Sequence, residues 1–463
     1  MTDTPEADAA QIRQALAEAR ETRALHVGAG IRHAAGELFA QEFGRVPALI
    51  VADESTFAAA GRDVVESLRR QGIVCREPFV YSDPDLYAEY AYVDQLLEGV
   101  SDRGEFVPVA VGSGTINDLV KLVAHRLGRP YLAVATAASM DGYTAFGASI
   151  TRDGLKQTFE CPAPAVVLAD LDVIAAAPEG LNASGYADLA AKITAGADWL
   201  VAEALGIEPI DEPAWNTVQA RLQTWLDDPS GVRAGDREST RRLTIGLMMG
   251  GFAMQRTRTS RPASGAEHQF SHLWDMQHHT HRGRPPSHGF KVGIGTLASV
   301  ALYEELLTLP FGELDVDDCC RRWGDRTTAE AESRRAFDTP ELTECAIRET
   351  AAKHATESEL RDQLTRLRRA WPELRERLAR QLVPFAVLKQ KLRDAGCPTE
   401  PEEIGIGRDR LLASYRQACF IRRRFTVLDL ARRTGTLENC LERLAAPGGA
   451  WDDVAAKTLA QSD

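Results

Sequence analysis

The chain lacks any run of ~20 uninterrupted apolar residues, which argues against a transmembrane helix and membrane insertion. It has no C-x-x-C pair: eight cysteines are scattered from Cys75 to Cys440, and only Cys319 and Cys320 adjoin. That spacing speaks against a disulfide frame and a cysteine zinc site, and it predicts reduced, mostly buried thiols. Positive charge is in deficit, with 54 Lys and Arg against 67 Asp and Glu and a net charge of −13. Such a balance argues against a nucleic-acid partner, while a local basic pocket for a small anion stays open. There is no internal repeat and no low-complexity linker. The first residues, Met1 to Asp8, are acidic and lack the basic flank and apolar stretch of a secretory signal, so the chain reads as cytoplasmic.

What is present suits one large enzyme unit or two to three domains: 463 residues, 44% apolar and 26% charged. The first ~175 residues alternate β-rich and helical runs, the habit of a parallel α/β sheet. Strands are expected at Ala48–Ala52, Val74–Tyr81, Val107–Val111, Tyr131–Ala135 and Ala165–Ala169. Helices are expected near Ala59–Gln71, Leu86–Val100 and Ile116–Leu127. An Asp153-Gly154 turn predicts a hairpin between Ala148–Arg152 and Leu155–Glu160. From about Pro178 the texture turns to Ala, Leu, Arg and Glu. The expectation is an α/β domain over 1–177 and an all-α domain over 178–463, with a cleft between them as the default ligand site. Between Glu341 and Gly396 the apolar spacing is helical, with Pro372 and Pro384 as breaks.

The run Val107-Pro-Val-Ala-Val-Gly-Ser-Gly-Thr-Ile-Asn-Asp-Leu119 reads as strand, tight turn and helix start. Gly112 and Gly114 can take positive φ and admit a phosphate to the backbone, with the helix N–H groups beyond. A dinucleotide pyrophosphate is the natural guest; an ordinary βα turn is the plain alternative. Neither the third glycine of G-x-G-x-x-G nor the Lys-Ser/Thr of a P-loop is present. Asp53, after the strand Ala48–Ala52, either accepts from ribose hydroxyls or is a solvated loop acid. If it meets the ribose, with Glu54 beside it, NAD is favoured over NADP.

Six of ten histidines fall between His268 and His288. Ser264 and Glu267 have the spacing of a capping box, starting a helix at about Gly265. His268 and His272 then share one helix face. His288, after Pro285-Pro286, can converge with His268 on a metal, and Asp188 is the leading third ligand, since a catalytic ion needs about three protein ligands and an open position. A buried Asp188 paired with Lys192 is the alternative. His278, His279 and His281 read as a solvated loop.

In order, Gly112-Ser-Gly-Thr-Ile-Asn-Asp118, Thr136-Ala-Ala-Ser-Met-Asp-Gly-Tyr-Thr144, the Asp188 helix, Ser260-Arg-Pro-Ala-Ser-Gly-Ala-Glu-His268 and His288-Gly289 resemble the sn-glycerol-1-phosphate dehydrogenase family. That family is akin to glycerol dehydrogenases, iron-type alcohol dehydrogenases and dehydroquinate synthases. The resemblance covers at least Ala24 to Thr296, and Cys419-Phe-Ile-Arg-Arg-Arg-Phe-Thr-Val-Leu-Asp429 also looks familiar. It implies a dehydroquinate synthase-like fold, an NAD-binding α/β domain and a helical domain with the active site between them, and a homodimer. It further implies one divalent ion on Asp188, His268 and His288, commonly zinc, with nickel or iron as options. Gly112, Ser113, Gly114, Thr115, Asn117 and Asp118 would carry the pyrophosphate of NAD or NADP. Thr136 and Ser139 would flank the nicotinamide, Asp141 and Asp188 would lie near the substrate hydroxyls, and His272 would stand close to the nicotinamide. Ala187 departs from the glycine that the family usually has directly before the metal Asp.

The implied reaction is reversible, metal-dependent, NAD(P)H-linked reduction of dihydroxyacetone phosphate to sn-glycerol 1-phosphate, with a place in phospholipid metabolism. His272 and Lys192 are the candidate catalytic side chains, and Lys192, Arg261 and Lys291 are candidates for a phosphate seat. The alternatives are another small polyol or a phosphorylated or phosphonate ketone as substrate, a dehydroquinate-synthase-like cyclisation, or a metal-binding relative without turnover.

Overall fold

The computed structural model describes residues 5–152 and 154–452. Eight strands occur among them: β1 (Ala24–Gly28), β2 (Ala48–Asp53), β3 (Phe79–Tyr81), β4 (Val107–Gly112), β5 (Leu132–Ala135), β6 (Ala148–Arg152), β7 (Leu155–Phe159) and β8 (Val166–Asp170). Six form one sheet in the order β1-β8-β5-β4-β2-β3, parallel throughout. β6 and β7 make the expected antiparallel hairpin. Of its expected turn, Asp153 lies outside the described residues, and Gly154 takes φ +74°.

The sheet is a Rossmann-like layer because its strands are apolar on both faces. In β2, Ala48, Ile50 and Ala52 enter one core, beside Phe39 of α1 (Ala35–Phe43) and Val64 of α2 (Arg62–Arg70). The alternate residues Leu49 and Val51 enter the other, beside Val93 and Leu96 of α3 (Tyr90–Val100) and Leu119 of α4 (Gly114–Arg126). Each fully buried Leu, Ile or Val contributes about 1.5–3 kcal/mol, so register is strongly set.

One strand expectation needs correcting, and one strand was not expected. Val74–Tyr81 shortens to Phe79–Tyr81, with an isolated bridge from Ala48 to Cys75. Val74 is 57% exposed, and Pro78 has no N–H for the ladder. Ala24–Gly28 is an additional edge strand, paired with Val166–Asp170, where the sequence shows only a weak alternation.

The change of texture near Pro178 falls between β8 and a long helix, α5 (Glu179–Ala204). Beyond it, the described residues are helical: α6 (Arg237–Thr257), α7 (Ala266–Met276), α8 (His288–Leu307) and α9 (Glu357–Gln381) are the segments that matter here. The architecture is thus an α/β N-terminal part followed by a large all-α part. The chain divides into two compact units that are discontinuous in sequence. One comprises Met1–Leu189, Glu212–Ala263 and Asp394–Gly396; the other comprises Ala190–Asp211, Ser264–Arg393 and Cys397–Asp463.

Pro372 does not break its helix. Six buried side chains, Leu360, Leu364, Leu367, Trp371, Leu374 and Leu378, form one stripe along α9. Their burial outweighs the ~3 kcal/mol that an internal proline costs. The real interruption lies earlier, where Thr356 and Glu359 form a capping box that starts α9. Pro384 does mark a break, between α9 and the helix Phe385–Asp394. All eight cysteines are free thiols, and seven are buried. Among the described residues, no helix is long and apolar enough to cross a membrane.

The start of α5 is drawn close to the loop that follows β5. A Cβ built on Gly185 would lie 1.8 Å from the Ala138 carbonyl oxygen, a backbone atom. Gly185→Ala is therefore expected to destabilise the protein by about 2–3 kcal/mol, since one extra methyl must push two backbones apart. Urea denaturation measures this, and an unchanged midpoint would refute the close approach.

Candidate metal and cofactor site

Three helices supply the site. Asp188 sits on α5, His268 in the first turn of α7, and His288 is the first residue of α8. Each offers one ligand atom, and these atoms all lie within 4.8 Å of one another. Asp188 and His268 are buried, and His288 is half-buried. The His268 and His288 ring centroids are 5.3 Å apart, and His272 lies one turn along α7 at 6.3 Å from His268. One carboxylate and two imidazoles form a donor set suited to zinc, iron or nickel, so the residues fit a divalent ion.

Glu267 was anticipated as half of a capping box, and the structure gives it a different role. Its carboxylate is fully buried and bonds His268 Nδ1 at 2.8 Å. It also accepts from Thr194 Oγ1 at 2.7 Å and from the Gly265 amide. Burial pushes the Glu267 carboxyl up, but the bonds to His268, Thr194 and Gly265 outweigh that and hold it below the usual carboxylate range. An ionised carboxylate only accepts, so His268 Nδ1 carries the proton and Nε2 is left for a metal.

Ser264 does not cap α7. The N-cap is Gly265, without a side-chain bond, and the Ala266 amide donates instead to Asp198 Oδ2 at 2.7 Å. Asp198, buried on α5, also accepts from Tyr303 Oη at 2.6 Å and from the Val427 amide at 2.8 Å. One carboxylate therefore ties α5, α7, α8 and the segment after Phe425 together. The Arg-rich run joins in, with Arg424 donating to the Ser264 carbonyl at 2.7 Å and its own carbonyl accepting from Gln269 at 3.1 Å. Sequence reasoning missed Glu267 and Asp198 as site supports. The available signal was an acid directly before a candidate ligand, and a second acid in an apolar helix ten residues beyond Asp188.

The remaining anticipated residues separate into distinct groups. Asp141 donates its amide to Asp188 Oδ2 at 3.0 Å, which orients that carboxylate. Lys192, one turn beyond Asp188, is fully buried, and Arg261 is also buried. Lys291 is bound to the Asp275 carboxylate, which weakens its candidacy for a phosphate seat. His279 is a correction: it is buried rather than solvated, because its ring bridges the Ile404 carbonyl at 2.7 Å and Arg410 at 2.8 Å. His278 is exposed, and His281 is half-buried.

At the glycine loop, Gly112 and Gly114 keep negative φ, contrary to expectation. Glycine is needed there for close packing: a Cβ would lie 2.5 Å from Ile116 at the first and 2.8 Å from Met140 at the second. Ser113 is the N-cap of α4 and makes no side-chain cap bond, so the first-turn amides, including that of Thr115, are not capped by it. Asn117 accepts from Tyr131 Oη at 3.1 Å and donates to Gly142 O at 3.4 Å. Asp118 accepts from the Ser149 amide at 3.2 Å, beside Lys121, which donates to the Gly142, Ala145 and Gly147 carbonyls. Burial pushes the Asp118 carboxyl up and the Lys121 amine down. Asn117 and Asp118 thus bind the hairpin and its approach.

Thr136, buried, donates its amide to Gly112 O at 3.2 Å, and the Ser139 carbonyl accepts from Ser184 at 3.4 Å. Asp53 ends β2 and caps a short helix, its Oδ1 accepting from the Thr56 amide at 2.8 Å.

The family profile described as iron-containing alcohol dehydrogenase matches residues 26–178. A glycerol-1-phosphate dehydrogenase [NAD(P)+] from Halalkalibacterium halodurans is 36% identical over 268 residues, covering 58% of this chain and 67% of that protein. One of the same description from Pyrococcus horikoshii is 35% identical over 257 residues, covering 56% and 71%. The fold is similar to a solved structure of a probable glycerol dehydrogenase from Sinorhizobium meliloti, with a TM-score of 0.54 at 16% identity over 91% of this chain and 98% of that one.

Replacing Glu267 with Gln frees His268 to place its proton on either nitrogen. Metal affinity is expected to fall about 10- to 100-fold. Competition with a chromogenic chelator reads the affinity, and wild-type affinity in Glu267→Gln would contradict the positioning role.

Proposed function

Since the chain belongs to the iron-containing alcohol dehydrogenase and glycerol-1-phosphate dehydrogenase superfamily, and is an NAD(P)-dependent oxidoreductase, we propose that it reduces dihydroxyacetone phosphate to glycerol 1-phosphate, reversibly. The observation that carries this reading is the mutual approach of Asp188, His268 and His288 ligand atoms within 4.8 Å, in a chain related to enzymes of that name. We assign the metal to these three side chains, with zinc as the first choice and nickel or iron as alternatives. When bound, the divalent ion supplies Lewis-acid polarisation of a ketone oxygen, and the nicotinamide supplies the hydride.

The protein's own groups do the rest. The Asp141 amide holds the Asp188 carboxylate, and Glu267 keeps the His268 proton on Nδ1. His272, on the same face of α7, delivers the proton that converts the reduced ketone to the alcohol and takes it back in the reverse direction. The uncapped start of α4, at Gly112 to Thr115, receives the cofactor pyrophosphate through backbone N–H groups. Thr136 and Ser139 flank the nicotinamide side. Lys192 and Arg261 seat the substrate phosphate, with Lys192 one helical turn beyond Asp188. The second carboxylate oxygen of Asp53 is the acceptor for a ribose hydroxyl, which favours NAD over NADP.

Removal of the metal with a chelator should abolish NADH oxidation, and adding back zinc, nickel or iron should restore it. With the reconstituted protein, dihydroxyacetone phosphate should exceed dihydroxyacetone in kcat/KM by about 10- to 100-fold, the worth of charge-assisted bonds to the phosphate. Equal values would favour an unphosphorylated polyol, and the chirality of the product tests the glycerol 1-phosphate assignment. Asp53→Ser should lower the NAD-to-NADP ratio of kcat/KM, and an unchanged ratio would remove Asp53 from the cofactor site.

A further inference from the structure

We propose that the all-helical part carries a second ligand site, a cavity of about 320 Å³ in which Arg433 binds a small organic oxyanion. This goes beyond the dehydrogenase reading, and none of the lining residues belongs to the metal site. The walls come from the helices Val316–Arg322, Arg326–Arg335, Pro340–Lys353, Val427–Arg433 and Leu437–Ala445 and from the segments that follow the first, third and fourth of them. The volume lies in the lower range of small-molecule sites.

The charges leave one cation over. Three acids line the cavity, and each is already taken. Glu332 pairs with Arg432 at 2.8 Å, Asp429 with Lys353 at 2.6 Å, and Glu438 with Arg416 at 2.6 Å. Arg322 is paired outward to Asp318 at 2.8 Å. Arg433 is different. It is 5% exposed, and among the described residues no carboxylate pairs with it. Its terminal nitrogens donate to the Gln363 side chain and to the Lys353 carbonyl, and its Nε is buried without a hydrogen-bond partner. Asp429 and Glu359 act on it only through space, Asp429 being paired with Lys353. A buried guanidinium with an unused donor and no directly paired carboxylate is costly, and an oxyanion in the cavity would offset that cost.

The cavity also has a wall for an organic body. The Trp323 and His354 rings stack at 5.6 Å and 12°, and Trp323 Nε1 is fixed to the Ala355 carbonyl at 2.9 Å. Arg433 lies 5.8 Å from the Trp323 ring and 4.9 Å from that of Phe425, so its plane is held by aromatic neighbours. His354 Nδ1 is a second buried polar atom without a partner in this wall. A carboxylate or a phosphate can take the Arg433 donors, and a planar body suits the stacked rings.

Calorimetric titration of the intact, metal-loaded protein with inorganic phosphate and, separately, with benzoate tests this. At least one probe should bind. Arg433→Gln should weaken that binding about 10-fold or more. Ala329→Phe, which fills the cavity and leaves every charge in place, should abolish it, while His268→Ala should leave it intact. The two cavity variants lie on different helices, so failure of one to fold leaves the other as the test, and melting temperature reports folding. Binding of phosphate alone or benzoate alone identifies the oxyanion class. The proposal fails if neither probe binds, if the folded cavity variants bind as the wild type does, or if His268→Ala removes the binding and so locates the anion at the metal site. None of these readouts needs turnover, so they stand apart from the outcome of the substrate assays.

Discussion

A buried carboxylate held ionised by its hydrogen bonds decides where an imidazole keeps its proton, and the metal site depends on that. Glu267 is fully buried, yet three donors hold it ionised, and His268 therefore presents Nε2 rather than a choice of tautomers. A ligand that must first reorient or lose a proton binds metal more weakly, which is why the atoms behind the ligands matter nearly as much as the ligands. Asp198 plays the matching mechanical part. It takes the Ala266 amide, which the N-cap Gly265 has no side chain to cap, and so sets the first turn of α7 against α5.

The α/β part follows the same logic in a different chemistry. Its strands are apolar on both faces, so helices must cover both, and the βα turns are drawn tight. After β4 a side chain at Gly112 would overlap the branched Ile116, and one at Gly114 would displace the Met140 side chain. The loop after β5 then approaches α5 so closely that Gly185 has no room for a methyl, and the same loop carries the Asp141 amide to Asp188. Sheet packing and ligand orientation are thus linked by one short segment.

Much of this was legible from the residues in order. The strands β2, β4, β5 and β8, the hairpin strands, the helix start near Gly265 and the pair His268 and His272 all follow from apolar periodicity and local spacing. The set Asp188, His268 and His288 follows from two imidazoles on a helix and the turn after it and from the three ligands that a catalytic ion needs, and the resemblance implies the same three. Their approach across separations of 80 and 20 residues is a matter of the fold. Local rules failed where distant partners intervened. Ser264 had the spacing of a cap, but Asp198 supplies the acceptor; His279 looked solvated, but Ile404 and Arg410 enclose it. Pro372 signalled a break that the buried stripe of α9 overrides.

The residues by themselves determined the class of fold and the kind of chemistry. A period of two or near 3.6 is a local property of the chain, and imidazole and carboxylate donors are chosen by what a divalent cation binds. Only the tertiary structure decided which acids support those donors and which charge is left without a partner. Glu267 against His268, Asp198 under Ala266, and Arg433 in a cavity whose three acids are taken are pairings across the fold. The energy of each depends on burial and on what lies opposite, and neither quantity exists until the chain has folded.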